Sequence, residues 1–103
     1  MGEIKMTSGS FKNVWEAIVR HTEEVFFTKK GLEFTYQIQG DVLETSRTKY
    51  KIHKGEFRKA FYMLPIPNPG KIRDKVRGYV YVWAILHDTR ILSQKANKEV
   101  KLK

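Results

Sequence analysis

Residues 47–59 read R-T-K-Y-K-I-H-K-G-E-F-R-K, and the period of the pattern changes inside them. Arg47, Lys49 and Lys51 alternate with Thr48, Tyr50 and Ile52. Successive side chains of a strand point to opposite faces. The stretch therefore predicts a strand with three cations on one face and Tyr50 and Ile52 covering apolar groups on the other. From Lys54 the spacing turns helical, with Phe57, Ala60, Phe61 and Leu64 on one side. Lys54, Arg58 and Lys59 lie away from that side, and Arg58 follows Lys54 by one helical turn. A strand running into a helix, both cationic toward solvent, points to an α+β chain with its charge gathered at the junction.

Toward the N-terminus, Leu32, Phe34, Tyr36 and Ile38 alternate with Glu33, Thr35, Gln37 and Gln39, the pattern of a half-buried strand. Gly40-Asp41 is a turn signal, so residues 42 to 50 or 52 are expected to pair back as the second strand of a hairpin. Val25 to Thr28 is a further short β-prone segment, followed by a Lys29-Lys30-Gly31 turn. Ser10 is the expected N-cap of a first helix. That helix carries Phe11, Val14, Trp15, Ile18 and Thr22 on one face and ends near Glu23 or Glu24. Trp15 reads as a core anchor rather than a stacking platform, and Tyr36 and Tyr50 fall on apolar phases that favour the core, with base stacking as their alternative if exposed. Residues 1–9 read as a disordered lead-in.

Toward the C-terminus, the second helix is expected over about 54–64. Gly55 sits in its first turn, and Pro65 and Pro67 end it. Residues 65–70, P-I-P-N-P-G, form a stiff loop. Lys71, Arg73, Lys75 and Arg77 then alternate with Ile72, Asp74 and Val76, which suggests a short basic strand or a loop that orders on binding. Residues 79–88, Y-V-Y-V-W-A-I-L-H-D, are too apolar for periodicity to separate strand from helix. The good helix propensity of the last six favours a helix. Leu92 to Lys103 reads as a lysine-bearing tail, its flexible part at 93–103, so one small domain spans 10–92.

Helix, strands, helix is also the opening order of double-stranded RNA-binding domains. Those domains end with a basic helix, whereas here an apolar segment follows, and no family is assigned on that order.

The 103 residues are 41% hydrophobic and 13% aromatic, enough for a single core. There is no cysteine, which excludes disulfides and thiolate metal sites and favours a reducing, cytoplasmic setting. The longest apolar run is far shorter than a membrane span, and no segment reads as a basic amphipathic membrane helix. His21, His53 and His87 lack metal-ligand spacing, and the glycines are isolated turn glycines rather than a phosphate loop. Glu3-Ile4-Lys5 and Glu99-Val100-Lys101 have the form of a nuclease triplet but lie in the expected tails. No enzyme, metal or cofactor is expected.

Charge is the functional signal. The net charge of +9 is uneven: residues 1–46 carry −2, residues 78–103 carry +3, and residues 47–77 hold ten Lys and Arg against Glu56 and Asp74, a net of +8. A concentrated basic block attracts nucleic acid or an acidic partner. The expected function is a small nucleic-acid-binding module, for DNA or RNA, possessing little base readout. Its phosphate contacts are expected from Arg47, Lys49, Lys51, Lys54, Arg58, Lys59, Lys71, Arg73, Lys75 and Arg77. The alternative is a regulatory module, of the size of phage inhibitors or antitoxins, that sets the same cations on an acidic protein.

Overall fold

In a computed structural model, which describes residues 10–48 and 51–92, α1 (Ser10–Arg20) is followed by two small antiparallel sheets and then by α2 (Lys54–Phe61). One sheet pairs β1 (Phe26–Phe27) with β2 (Glu33–Phe34). The other has the order β3 (Tyr36–Gln39), β4 (Val42–Thr45), β5 (Lys51–His53). A 3-10 turn (Pro69–Ile72) and α3 (Tyr79–Leu86) complete the α+β fold. The expected lead-in at 1–9 and tail at 93–103 lie outside the described residues, as do Lys49 and Tyr50.

The first helix buries Phe11, Val14, Trp15 and Ile18 as its spacing requires, together with Ala17. Ser10, expected to cap the helix, is its first helical residue. The helix stops at Arg20 rather than near Glu23. Glu23 takes a left-handed conformation (φ 71°) and donates its backbone N–H to the Tyr36 carbonyl (2.9 Å), which turns the chain onto the sheet. Thr22 therefore falls beyond the helical face assigned to it.

The alternating segment 32–39 is two strands, not one. Phe34 faces Phe26 across the first ribbon, while Tyr36 faces Thr45 across the second. Between them, Thr35 exchanges hydrogen bonds with Ser46, whose hydroxyl accepts the Thr35 N–H (3.0 Å) and whose own N–H reaches the Thr35 carbonyl (2.9 Å). Inward phase survives the break: Phe34 and Tyr36 are buried, while Leu32 at the hairpin end is exposed. Alternation fixes which face is buried and leaves the choice of partner strand open.

The Gly40-Asp41 hairpin is present, with Gln39 opposite Val42 and Gly40 at φ 64°. Two-residue hairpin loops demand positive φ at that position, which glycine adopts without strain. The expected single strand from 42 to about 52 is corrected. The chain leaves the ladder after Thr45, turns through 46–48 and returns as β5, so that Leu43 lies opposite Ile52. Hydroxyls make this turn: Thr45 Oγ1 accepts the Arg47 N–H (3.3 Å), an arrangement open to Ser and Thr without any glycine or proline.

The junction of β5 and α2 is tied to the first hairpin, where the Lys54 N–H donates to the Asp41 carbonyl (2.7 Å). Gly55 is in the first turn of α2, as expected, and Phe57 and Ala60 are buried. The helix ends at Phe61, three residues short of the expected Leu64. A residue preceding proline is driven out of the helical region, so the last turn tightens instead, through Met63 N–H to Ala60 (2.9 Å) and Leu64 N–H to Phe61 (3.3 Å).

Residues 71–77 are not a strand. They form consecutive tight turns, with the Arg73 N–H on Gly70, the Lys75 N–H on Ile72 and the Val76 N–H on Ile72 (3.0–3.3 Å). Ile72 and Val76, one helical turn apart, point into the core, and the four cations stay outside. The alternation arose from this spacing of two anchors.

Helix α3 is apolar on every side and accordingly central. It packs against α2, the 3-10 turn and β1, and Val82, Ala84, Ile85 and Leu86 are buried. Gly78 (φ 72°) starts it from the left-handed region. The Trp83 indole N–H donates to the Ile66 carbonyl (2.9 Å) and fastens the proline loop.

Order continues past Asp88. Arg90 donates to both Asp88 oxygens (2.8 and 2.9 Å), to Glu24 (3.1 Å) and to the Val25 carbonyl (2.8 Å), and its guanidinium lies 3.8 Å from the Phe26 ring centroid. Burial pushes the Asp88 carboxyl up, but Arg90 outweighs it and holds it below the usual range. This clamp seats Ile91 in the core and leaves Leu92 half-buried against it. Among the described residues no helix is long and apolar enough to cross a membrane.

Candidate nucleic-acid interface

Helix α2 is amphipathic, and burying Phe57 and Ala60 turns Arg58 and Lys59 outward. Its solvent side adjoins the 71–77 turns, because the Lys59 ammonium donates to the Lys75 carbonyl (3.0 Å). Glu56 locks the two segments together. One of its oxygens accepts the Arg77 N–H (2.9 Å) and pairs with Lys59 (3.0 Å). Partial burial pushes the Glu56 carboxyl up, but the Arg77 N–H and the Lys59 ammonium prevail and hold it below its ordinary value. Glu56 is thus consumed as a tie, while Arg58, Lys71 and Lys75 stay exposed.

The ten expected contact residues are distributed unequally. Lys54, Arg58, Lys59, Lys75 and Arg77 are brought together on or beside α2, and Lys71 and Arg73 continue along the turn, exposed. Arg73 lies 3.6 Å from the exposed Asp74, a pairing of little energetic weight. Arg47 does not share a strand face with Lys51. It sits in the turn after β4, and its guanidinium donates to the Glu33 carbonyl (2.8 Å), bridging the two ribbons. Lys51 is exposed on β5 directly opposite Glu44. Lys49 lies outside the described residues.

On the other flank of α2 is a groove of about 370 Å³ against α1, lined by Phe11, Lys12, Trp15, Glu16, Lys54, Arg58 and Tyr62. The Lys54 ammonium stands 5.6 Å from the Trp15 ring centroid and 4.0 Å from Asp41. Lys12 and Tyr62 were not among the expected site residues. Tyr62 lies four residues after Arg58, which was a legible signal, whereas the approach of Lys12 depends on how α1 meets α2.

Comparison with protein-family models, with curated proteins and with solved structures finds no match in any of the three. The chemistry must therefore be read from the side chains. Among the described residues, no three His, Asp or Glu gather as a metal site. His21 bonds Glu24 (2.9 Å), and His87 stacks on Trp83 with ring centroids 4.2 Å apart. Exposed cations beside an aromatic groove are suited to polyanions.

The Glu56 tie gives an acid-side expectation. A carboxylate whose pKa is lower in the folded chain contributes stability that is complete above its ordinary range and is lost as pH falls through the folded value. Glu56→Gln is expected to lose about 1 kcal/mol at neutral pH. Melting curves of the two proteins should converge as the pH drops below the carboxylate range. Parallel curves at every pH would show that Glu56 carries no such linkage.

Proposed function

We propose that this protein binds the phosphate backbone of a nucleic acid through the outer side of α2 and the 71–77 turns, with Lys54, Arg58, Lys59, Lys71, Arg73, Lys75 and Arg77 as contacts. The observation that carries the reading is the disposition of Glu56. Glu56 accepts the Arg77 N–H and pairs with Lys59, and the exposed Asp74 stands beside Arg73, which leaves Arg58, Lys71 and Lys75 exposed with no ion pair among the described residues. Lys and Arg contacts to phosphate supply sequence-independent affinity and release condensed counterions.

The test is a fluorescence-anisotropy titration against single- and double-stranded DNA and RNA at two salt concentrations. With the seven named cations on phosphates, affinity is expected to fall roughly 10³- to 10⁴-fold between 50 and 200 mM salt. Absence of binding to all four polymers at low salt would sink the proposal, with the charge then serving an acidic protein partner or solubility.

A further inference from the structure

We infer that the groove between α1 and α2 seats an unpaired base of a single-stranded nucleic acid, stacked on Tyr62, with the adjoining phosphate held by Arg58 and Lys54. The inference rests on the nucleic-acid reading above and specifies the form of polymer.

Tyr62 is 65% exposed, the most of any large hydrophobic side chain among the described residues. It follows the last residue of α2, and its ring meets Phe61 edge-on at 5.2 Å (80° between planes). That contact orients the ring without covering it. Beneath the groove, Phe11 and Trp15 are each only 7% exposed, so they supply a rigid apolar floor rather than stacking faces. Trp15 is itself braced by Phe57 at 5.7 Å. The volume of about 370 Å³ falls at the small end of ligand sites, which run from about 300 to 1,000 Å³.

Charge selects among planar occupants. Lys12, Lys54 and Arg58 border the groove against Glu16, with the exposed Asp41 4.0 Å from Lys54. Arg58 and Tyr62 are one helical turn apart and share a face, so a guanidinium stands beside the exposed ring. A base joined to a phosphate matches that pair. In a duplex the base faces are stacked on one another, and a protein aromatic reaches them only in unpaired nucleotides. An acidic peptide would satisfy the cations and leave the exposed ring without a planar partner.

The experiment compares the wild-type chain, Tyr62→Ala and Tyr62→Phe on labelled oligothymidylate, oligouridylate and a DNA duplex of equal phosphate number. Removing the ring is expected to weaken either single strand about tenfold and the duplex by less than about twofold, with Tyr62→Phe close to wild type. Equal losses on single strand and duplex, or no loss on either, would overturn the assignment while leaving backbone binding intact. If no polymer binds the wild-type chain at low salt, both readings fall together. Tighter binding of a polyglutamate peptide than of any single strand would also overturn it, in favour of a protein partner. The exposed position of Tyr62 makes an unfolded variant an unsuitable explanation, and a thermal melt of each protein checks this directly.

Discussion

Arg58→Glu combined with Lys71→Glu and Lys75→Glu is expected to weaken nucleic-acid binding by about two orders of magnitude, with the melting temperature nearly unchanged. Each replacement exchanges a positive for a negative charge, so three of them take six units from the net +9 and leave +3. All three residues are exposed, and none has an ion-pair partner among the described residues. Surface substitutions of that kind usually move stability by less than about 0.5 kcal/mol. Lys59 is deliberately spared, because a carboxylate there would stand beside Glu56, at the place of an ammonium now 3.0 Å away. The salt dependence should flatten along with the affinity, since each lost phosphate contact removes about one unit of slope. A variant that melts like wild type and binds as tightly would move the interface off α2 altogether.

Legibility in the sequence varied with how local each determinant is. Helix faces were readable, because residues three and four apart meet whatever the rest of the chain does. Phe11, Val14, Trp15 and Ile18 in α1 and Phe57 and Ala60 in α2 are buried as spaced. The Gly40-Asp41 hairpin was readable for the same reason. Strand pairing was less so. The alternation of Phe34 and Tyr36 told which face is buried, but the crossing between ribbons at Thr35 depends on the Ser46 hydroxyl eleven residues away. The turn after Thr45 had no glycine or proline to announce it. The 71–77 segment stays open between strand and loop in the sequence, because an inward pair at Ile72 and Val76 fits both a two-residue and a four-residue period.

The site followed the same division. That residues 47–77 are strongly basic is arithmetic on the sequence, and it does not depend on the fold. Which cations meet is a tertiary matter. Arg47 was grouped with Lys51 on an assumed strand, yet its guanidinium serves the Glu33 carbonyl at the seam between the sheets. Lys75 and Lys59, sixteen residues apart, are neighbours because the proline loop returns the chain to α2. Arg90 was equally hidden: the four hydrogen bonds of its guanidinium, to Asp88, Glu24 and Val25, join the end of the described chain to the start of the first ribbon.

Phe57→Ala is expected to cost about 3–5 kcal/mol, a large share of the roughly 5–15 kcal/mol that holds a domain of this size folded. Phe57 is fully buried and braced against Trp15 at 5.7 Å, so the vacated space opens between α1 and α2. An eight-residue helix cannot persist on its own propensity. Its stability comes from the face it buries, and Phe57 is the largest fully buried side chain on that face. The melting temperature should drop by more than about 10 °C, and the urea midpoint should fall with the slope unchanged. Phe57→Leu, which refills most of the volume, should recover over half of the loss. A Phe57→Ala protein within about 1 kcal/mol of wild type would show that α2 is held mainly by its other contacts, with α3 and β5. The same helix carries Lys54, Arg58 and Lys59, so Phe57→Ala should also bind nucleic acid poorly, but only in proportion to the unfolded fraction. Cooling or a stabilising osmolyte would then restore binding to this variant and leave the charge-reversed protein defective. That difference in rescue separates a residue that seats the interface from residues that form it.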